Sequence, residues 1–418
     1  MTPATNTNDA GKPSVGEAGD SGLGGAGSTS ATGGSSGKAG QTTAGGKSNG
    51  RAGAGGVVGE AGAESSPAGA GGGVRGPFML GADISSVPEA IDGGATYTDT
   101  DGTTKDLLEI LQAHGFNYVR LRAFVDPDAL YGYANPTGED RYRKPQSYCD
   151  TEHTLQLARR VKDAGMGFLL DLHYSDNWAD PGKQVIPEAW RSATSITALA
   201  ADVESYTKDV VQTLTDGGAR PDMVQIGNEI TPGLLIHVPA ADPQPDQWGN
   251  MNKLTNAVNG STASFANVAT LLKAGIAGVK AVDPAIKIML HLENTKSFPA
   301  ARDWVNAVRS RGVKIDVLGL SCYTAYHGPP SVWQDTFEQL TRTLDDISFV
   351  IAEYNTERTR ANQIMRDLPD GRGLGTFIWE PTQSGSWGNA LFVFNGTSYE
   401  ADAAAFAELD ALKPSLGL

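Results

Sequence analysis

Short apolar runs alternate with longer amphipathic stretches from residue 77 to the C-terminus, and this alternation limits the possible folds most strongly. The runs, rich in β-branched and aromatic residues, cover 79–84, 117–121, 167–172, 223–226, 287–292, 316–320, 349–352 and 375–379. The amphipathic stretches cover 105–114, 152–164, 194–215, 265–282, 300–311, 332–344, 360–368 and 401–412. Short runs of this type predict strands, and longer stretches with helical periodicity predict helices.

Eight strands, each followed by a helix, are typical of a (β/α)8 or TIM barrel. The alternative is an open, doubly wound sheet, which ordinarily has a Gly-rich phosphate-binding turn after its first strand. Residues 81–94, GADISSVPEAIDGG, do not form that motif. No second linker interrupts the pattern, so we predict a single α/β domain over residues 77–418.

Residues 1–76 have a different composition. They contain 24 of the 52 glycines and no Phe, Tyr or Trp, and their five basic and five acidic side chains cancel. A segment dominated by Gly, Ser, Ala and Thr cannot bury enough apolar surface to offset its ordering entropy. We therefore predict a disordered linker.

The charge and the apolar pattern restrict partners and location. The net charge of −15 opposes nucleic-acid binding, which requires a basic face. No run of 18 apolar residues occurs, so we expect no membrane span. Because linker composition begins at the N-terminus, we expect a signal or lipid-attachment segment upstream of Met1, hence a secreted or cell-surface tethered protein. Cys149 and Cys322 are treated as unpaired.

Polar and aromatic side chains follow all eight predicted strands. In a TIM barrel these positions gather at one face, where the chemistry takes place. The candidates are Asp83, Arg122, Asp171, His173, Trp178, Asn228, Glu229, His291, Asn294, Tyr323, His327, Glu353, Trp379 and Trp387.

Glu229 and Glu353 stand out because they close the fourth and seventh strands, on opposite sides of the barrel. Glycoside hydrolysis needs one carboxylic acid to protonate the leaving oxygen and one carboxylate as nucleophile or base. The alternative is that either Glu only forms an ion pair with Arg120 or Arg122. Glu293 also closes a strand, and we interpret it as a substrate or supporting contact.

Several segments resemble glycoside hydrolase family 53, the arabinogalactan endo-β-1,4-galactanases, within clan A of the retaining glycosidases. The segments are GADISS, GFNYVRLR, LLDLHYSDNWADPGKQ, VQIGNEITPGLL, HLEN and WEP, and they run from about Gly81 to Pro381. The third and fourth of these stretches are specific, whereas GNE alone would be weak.

The resemblance implies a double displacement with Glu229 as acid/base and Glu353 as nucleophile. Arg122 and Tyr323 would hydrogen-bond the nucleophile, Asn228 would bind the sugar 2-hydroxyl, and Trp379 would form an aromatic floor. The remaining candidates would line the cleft. The implied partner is β-1,4-galactan from the side chains of pectin, bound by a monomer.

Two loops depart from the family pattern, at residues 236–250 and in the SCYTAYHG segment. Another β-1,4-polymer such as mannan or xylan therefore stays open as a substrate, as does a barrel that binds galactan without cutting it. The six histidines show no metal-binding spacing, so we expect no metal and no cofactor.

Overall fold

Eight parallel strands close into a barrel in the computed structural model, which describes residues 77–135, 147–239, 251–253, 258–382 and 391–418. The strands follow one another around the barrel in chain order, and the last pairs with the first. They are β1 Met79–Asp83, β2 Tyr118–Ala123, β3 Gly167–Leu172, β4 Met223–Ile226, β5 Lys287–Leu292, β6 Val317–Ser321, β7 Ser348–Tyr354 and β8 Gly373–Trp379. The predicted (β/α)8 barrel is confirmed.

Each of the eight predicted helices is present, within a few residues of its predicted bounds. The helices are α1 Val87–Asp92, α2 Leu107–Ala113, α3 Thr151–Asp163, α4 Ile196–Asp216, α5 Phe265–Val282, α6 Phe298–Arg309, α7 Thr324–His327, α8 Pro330–Thr343, α9 Arg358–Asp367 and α10 Ala403–Leu416. Aspartate or serine caps the N-terminus of several of them, including Asp150 on α3 and Ser297 on α6. Such caps satisfy backbone N–H groups that lack a helical partner.

The structure contains α1, α7 and several short strands that the sequence pattern did not predict. A four-stranded sheet combines Thr96–Thr98, Thr104–Lys105, Phe392–Phe394 and Ser398–Ala401. Two antiparallel two-stranded sheets are also present. One pairs Gly233–Leu234 with Gly260–Ser261, and the other pairs His237–Pro239 with Met251–Lys253. All are too short for a periodic signal. The predicted linker at 1–76 lies outside the described residues.

One segment in the described part of the chain, Thr262–Val282, is long and apolar enough to cross a membrane by length and composition, with a mean hydropathy of 1.3. It includes α5, which packs along α4 and over β4. Gly275 lies against Ile226, and Gly278 lies against the backbone of α4. Packing against the barrel accounts for its apolar composition.

The barrel interior has two layers. An apolar plug fills the N-terminal half; its members are Tyr118, Leu169, Met223, Met289, Val317, Val350, Ala352 and Phe377. Because side chains alternate along a strand, the residue two positions further on points to the same side. On four strands that residue is polar: Arg120, Asp171, Gln225 and His291. The polar layer above the plug is the base of the candidate site.

A change of strand register brings Glu353 into this layer. The pairing of β6 with β7 shifts after Leu320, so that Ser321 lies opposite Glu353. Strict alternation from Val350 and Ala352 would instead turn Tyr354 inward, but Tyr354 lies beside Asn362 of α9 on the outside of the barrel. A bulge of this kind re-aims a side chain, as is common beside active sites.

Arg372 fixes the starts of β7 and β8, the strands that carry Glu353 and Trp379. Its guanidinium donates to the backbone carbonyls of Thr341, Leu344 and Ile347. We predict that Arg372→Met lowers the free energy of unfolding by about 2 kcal/mol, because these carbonyls lose a charged donor. The matched control is Arg366→Met, which removes a surface pair with Asp367 and should cost less than about 0.5 kcal/mol. Equal losses in denaturant titrations of the two variants would contradict this role.

Candidate active site

Arg120 on β2 lies at the centre of the polar layer and is 1% exposed. Its guanidinium donates to Asp83 at 3.0 Å and to Glu353 at 2.9 Å, and it is paired with Asp171 at 2.8 Å. Burial alone would lower the pKa of Arg120, but these three carboxylates outweigh burial and raise it above its ordinary value. Arg120 is therefore a permanent positive charge inside the barrel.

Glu353 is held by a cation on one oxygen and by a hydroxyl on the other. Arg120 donates to Oε1, and the Tyr323 hydroxyl donates to Oε2 at 3.0 Å. Burial, with the carboxylates of Asp171 and Asp83, raises the pKa of Glu353 above its ordinary value, and Arg120 and Tyr323 limit that rise by stabilising the ionised form. The arrangement suits a carboxylate that has to stay charged.

The prediction that Arg122 hydrogen-bonds Glu353 is wrong, because Arg120 makes that contact. Arg122 lies two residues further along β2 and donates to Glu380, at the end of β8. Its guanidinium lies 4.0 Å from the centre of the Trp178 ring. Arg122 thus supports Trp178 rather than Glu353.

Glu229 has a different environment. It follows β4 in the left-handed backbone region, with φ of 48°, which is a strained conformation for a non-glycine residue. Its Oε1 lies 2.6 Å from the Ser321 hydroxyl. Among the described residues, no Lys or Arg forms an ion pair with it. Burial, reinforced by the negative charge of Glu353, raises the pKa of Glu229 well above its ordinary value.

The neighbouring contacts show that the two carboxylates belong to one site. Glu229 reaches across β5 to Ser321 on β6, and Ser321 is the register partner of Glu353 on β7. One group is thus biased toward the protonated form and the other is held by a cation. This pairing is what general acid catalysis and nucleophilic attack require of two carboxyl groups.

Two half-buried indoles form an aromatic wall at the same end of the barrel as the carboxylates, one after β3 and one at the end of β8. Trp178 and Trp379 have ring centres 6.2 Å apart and planes inclined by 53°. Phe124 and Tyr133 pack against Trp178 from behind. Apolar sugar faces pack well on aromatic rings of this kind. Trp387 lies outside the described residues.

The family model for glycosyl hydrolase family 53 matches residues 79–364, which include both glutamates. The chain belongs to glycosyl hydrolase family 53. It is therefore a glycoside hydrolase, and the predicted resemblance is confirmed.

Similar proteins extend over most of the barrel. An uncharacterized protein from the bgaB 5′ region of Niallia circulans is 32% identical, over 80% of this chain and 94% of its own length. Arabinogalactan endo-β-1,4-galactanase A of Emericella nidulans is 30% identical, over 72% and 84%. A solved fungal β-1,4-galactanase superposes with a TM-score of 0.65 at 26% identity, over 80% and 99%. The family 53 catalytic domain of Ignisphaera aggregans gives 0.63 at 29% identity, over 81% and 99%.

Four residues predicted to line the family 53 cleft are almost completely buried, and their contacts are with other residues of the polar layer. Asp83, Asp171 and His291 are essentially unexposed, and His173 is 3% exposed. Asp83 and Asp171 neutralise Arg120, while His173 accepts from the Ala179 N–H and contacts Asp171. Strand alternation placed these side chains correctly inside the barrel but could not give their depth.

His327 is likewise buried, beside Tyr323. Its Nδ1 accepts from the Tyr323 N–H at 3.0 Å, and burial lowers its pKa to about 4. It is thus a neutral support for the residue that contacts Glu353. Asn294 is half-buried after β5, and its backbone carbonyl accepts from Ser297.

The sequence pattern did not indicate Ser321 or Gln225, and it gave Glu380 no specific role and Arg120 no role beyond an ion pair. Gln225 bridges Asp171 and Arg120, and Glu380 accepts from Arg122. Counting inward positions along each strand from the apolar plug would have found Arg120, Gln225 and Ser321. Cys149 and Cys322 are both free thiols, and both are buried. In the described part of the chain, no three His, Cys, Asp or Glu side chains cluster as a metal site.

We predict that Tyr323→Phe lowers kcat and shifts the ascending limb of the pH–activity profile to higher pH. Loss of the hydroxyl raises the pKa of Glu353, so a higher pH is needed to ionise it. The loss in kcat should be about 10- to 100-fold, which corresponds to about 1.4 to 2.7 kcal/mol. Tyr326→Phe is the matched control, because that ring is 54% exposed. A Tyr323→Phe profile that overlays the wild type would exclude this contact as a determinant of Glu353 ionisation.

Proposed function

We propose that this family 53 enzyme is an endo-β-1,4-galactanase that cleaves the galactan side chains of pectin with retention of configuration. The single observation that carries the mechanism is the unequal pair of glutamates: Arg120 and Tyr323 hold Glu353, whereas no Lys or Arg of the described residues is paired with Glu229. The names of the similar enzymes support the substrate class.

In the first step, Glu353 attacks the anomeric carbon while Glu229 gives its proton to the leaving glycosidic oxygen. The galactosyl–oxygen bond breaks, and a covalent galactosyl ester forms on Glu353. Arg120 and Tyr323 keep Glu353 ionised for this attack. Asn228, fixed by Arg120 at 2.8 Å, is suited to bind the 2-hydroxyl of the reacting sugar.

In the second step, ionised Glu229 takes a proton from a water molecule, whose oxygen attacks the anomeric carbon of the galactosyl ester. Glu353 leaves as a carboxylate, and Glu229 regains the proton that it donated. The rising negative charge on Glu353 helps to hold that proton, because two adjacent carboxylates resist joint ionisation.

The barrel surface and the charge favour a neutral polymer. Trp178 and Trp379 offer faces on which sugar rings can stack. The net charge of −15 would slow the approach of strongly acidic polygalacturonan but not that of a neutral galactan. Mannan or xylan is the alternative, because two loops that border the cleft, 236–250 and the SCYTAYHG segment, depart from the family pattern.

We also propose that the enzyme acts as a monomer outside the cell, secreted or tethered to the cell surface. A single chain supplies both glutamates and their partners. A polymer from plant cell walls cannot enter a cell intact, so an external enzyme is required to cut it.

The direct test is release of reducing sugar from linear β-1,4-galactan, with β-1,4-mannan, xylan and carboxymethylcellulose alongside. We predict oligosaccharide products from galactan and at least a 10³-fold loss of kcat in Glu353→Ala, because nucleophilic attack is removed. Proton NMR of the first products should show the β-anomer. An α-anomer as first product would exclude the double displacement.

Glu293→Gln is the matched control, since Glu293 also closes a strand but its carboxylate accepts from Thr231 and hydrogen-bonds neither Glu229 nor Glu353 among the described contacts. It should keep activity within about 10-fold of the wild type. Folded protein that binds galactan without cutting it would support the capture function instead. Activity on mannan or xylan alone would move the substrate assignment to that polymer.

A further inference from the structure

A chain of hydrogen bonds leads from Glu229 away from the cleft into the barrel. Glu229 Oε1 is 2.6 Å from Ser321 Oγ, and Ser321 Oγ is 2.9 Å from His291 Nε2. On its other side, His291 Nδ1 is 2.8 Å from Asn228 Oδ1. Ser321 and His291 are completely buried, so protein groups rather than bulk water determine the direction of each bond.

The inner end of the chain has a fixed direction. Asn228 Oδ1 receives a hydrogen bond from Arg120, which can only donate, and Asn228 Nδ2 donates to the Ala179 carbonyl. The oxygen of this amide therefore faces His291, and His291 Nδ1 has to carry the hydrogen. Two acceptor lone pairs at 2.8 Å would repel each other.

Gln225 is the other group close to His291 Nδ1, at 3.3 Å. Its amide nitrogen could in principle donate to that ring nitrogen. However, it has three closer acceptors, Asp171 at 2.5 Å and both the Gly227 carbonyl and Asn228 Oδ1 at 3.1 Å. These acceptors compete for its two hydrogens at shorter distances than His291 Nδ1, so Gln225 does not reverse the assignment.

His291 is neutral in this position. It is completely buried, and the charged groups that face it are Arg120 and Asp171, while His173 and His327 are the other titratable neighbours. Burial, followed by the positive charge of Arg120, lowers its pKa well below the ordinary value. A neutral ring with hydrogen on Nδ1 has a lone pair on Nε2, so Nε2 accepts from the Ser321 hydroxyl.

A serine hydroxyl has one hydrogen. If that hydrogen is given to His291, Ser321 Oγ can only accept from Glu229. We propose that Ser321 and His291 are positioning residues that make Glu229 the donor in this bond, and so favour its protonated form in the resting enzyme. This inference rests on the proposed role of Glu229 as the catalytic acid.

The consequence concerns the whole catalytic cycle. The charged groups facing Glu229 are the carboxylates of Glu353, Asp180 and Glu293, all of the same sign. Once Glu229 has given up its proton, Ser321 has to turn its hydroxyl toward the new carboxylate, and His291 Nε2 then loses its donor. The chain thus favours return of the proton from water in the second step.

The direction in which the pH–activity profile shifts tests whether Ser321 accepts from Glu229 or donates to it. If Ser321 accepts from protonated Glu229, Ser321→Ala removes a stabilising contact from the acid. The descending limb of the kcat/KM profile, which reports ionisation of the acid in the free enzyme, should move down by about 0.5 to 1 pH unit. If Ser321 instead donates to ionised Glu229, the same limb moves up. An upward shift, or none, overturns the proposal.

Thr341→Ala is the matched control, since it deletes a buried hydroxyl that donates within α8. Its pH profile should coincide with that of the wild type. A descending limb displaced equally in both variants would overturn the proposal, because the shift would then reflect loss of stability.

A second measurement reads the protonation of His291 directly in the wild-type enzyme. In wild-type protein labelled with ¹⁵N-histidine, the His291 ring should show a protonated Nδ1 and an unprotonated Nε2 near pH 6. The signal is assigned by its loss in His291→Gln. Hydrogen on Nε2 would overturn the proposal even if Ser321→Ala failed to fold.

Azide rescue of Glu229→Ala separates this inference from the proposed function. Rescue, with release of a galactosyl azide, supports Glu229 as the acid/base whatever the Ser321→Ala profile shows. Full activity of Glu229→Ala without azide would reject the proposed function and the inference together. Rescue combined with an unshifted Ser321→Ala profile rejects only the proposed direction of the hydrogen bonds from Glu229 through Ser321 to His291.

Discussion

The buried guanidinium of Arg120 is the interaction on which the rest of the site depends. A full charge in a barrel interior is very costly unless it is paired and hydrogen-bonded. Asp83, Asp171 and Glu353 provide the pairing. The same guanidinium fixes Asn228, which in turn fixes His291. One cation thus orients Glu353 directly and reaches Glu229 through a chain of neutral groups, so the two glutamates acquire different environments from a common source.

The separation of apolar plug and polar layer explains how one barrel can be both stable and reactive. The plug excludes water from the N-terminal half of the barrel. Its apolar side chains only have to match the volume and shape of the interior to pack well. The polar layer begins two residues later on the same strands, where each charged group has a partner. This arrangement keeps the cost of buried charge confined to the end of the barrel where the loops can admit a substrate.

The sequence was sufficient to predict the fold because every strand is short, apolar and followed by an amphipathic helix. It was also sufficient to select Glu229 and Glu353 as candidates, since each closes a buried strand. It could not assign Arg120 rather than Arg122 to Glu353, because both point inward and only depth distinguishes them. The bulge that turns Glu353 inward depends on the register of β6 against β7, which a single sequence does not encode locally.

The most direct test of the account is covalent labelling with a 2-deoxy-2-fluoro-β-galactobioside that carries a good leaving group. The fluorine slows both steps, the leaving group restores the first, and the glycosyl-enzyme accumulates. Peptide mapping by mass spectrometry should find the label on Glu353, and Arg120→Met should label far more slowly than the wild type. A label on Glu229 or Glu293, or an enzyme that hydrolyses galactan but never acquires a label, would contradict the division of roles between the two glutamates.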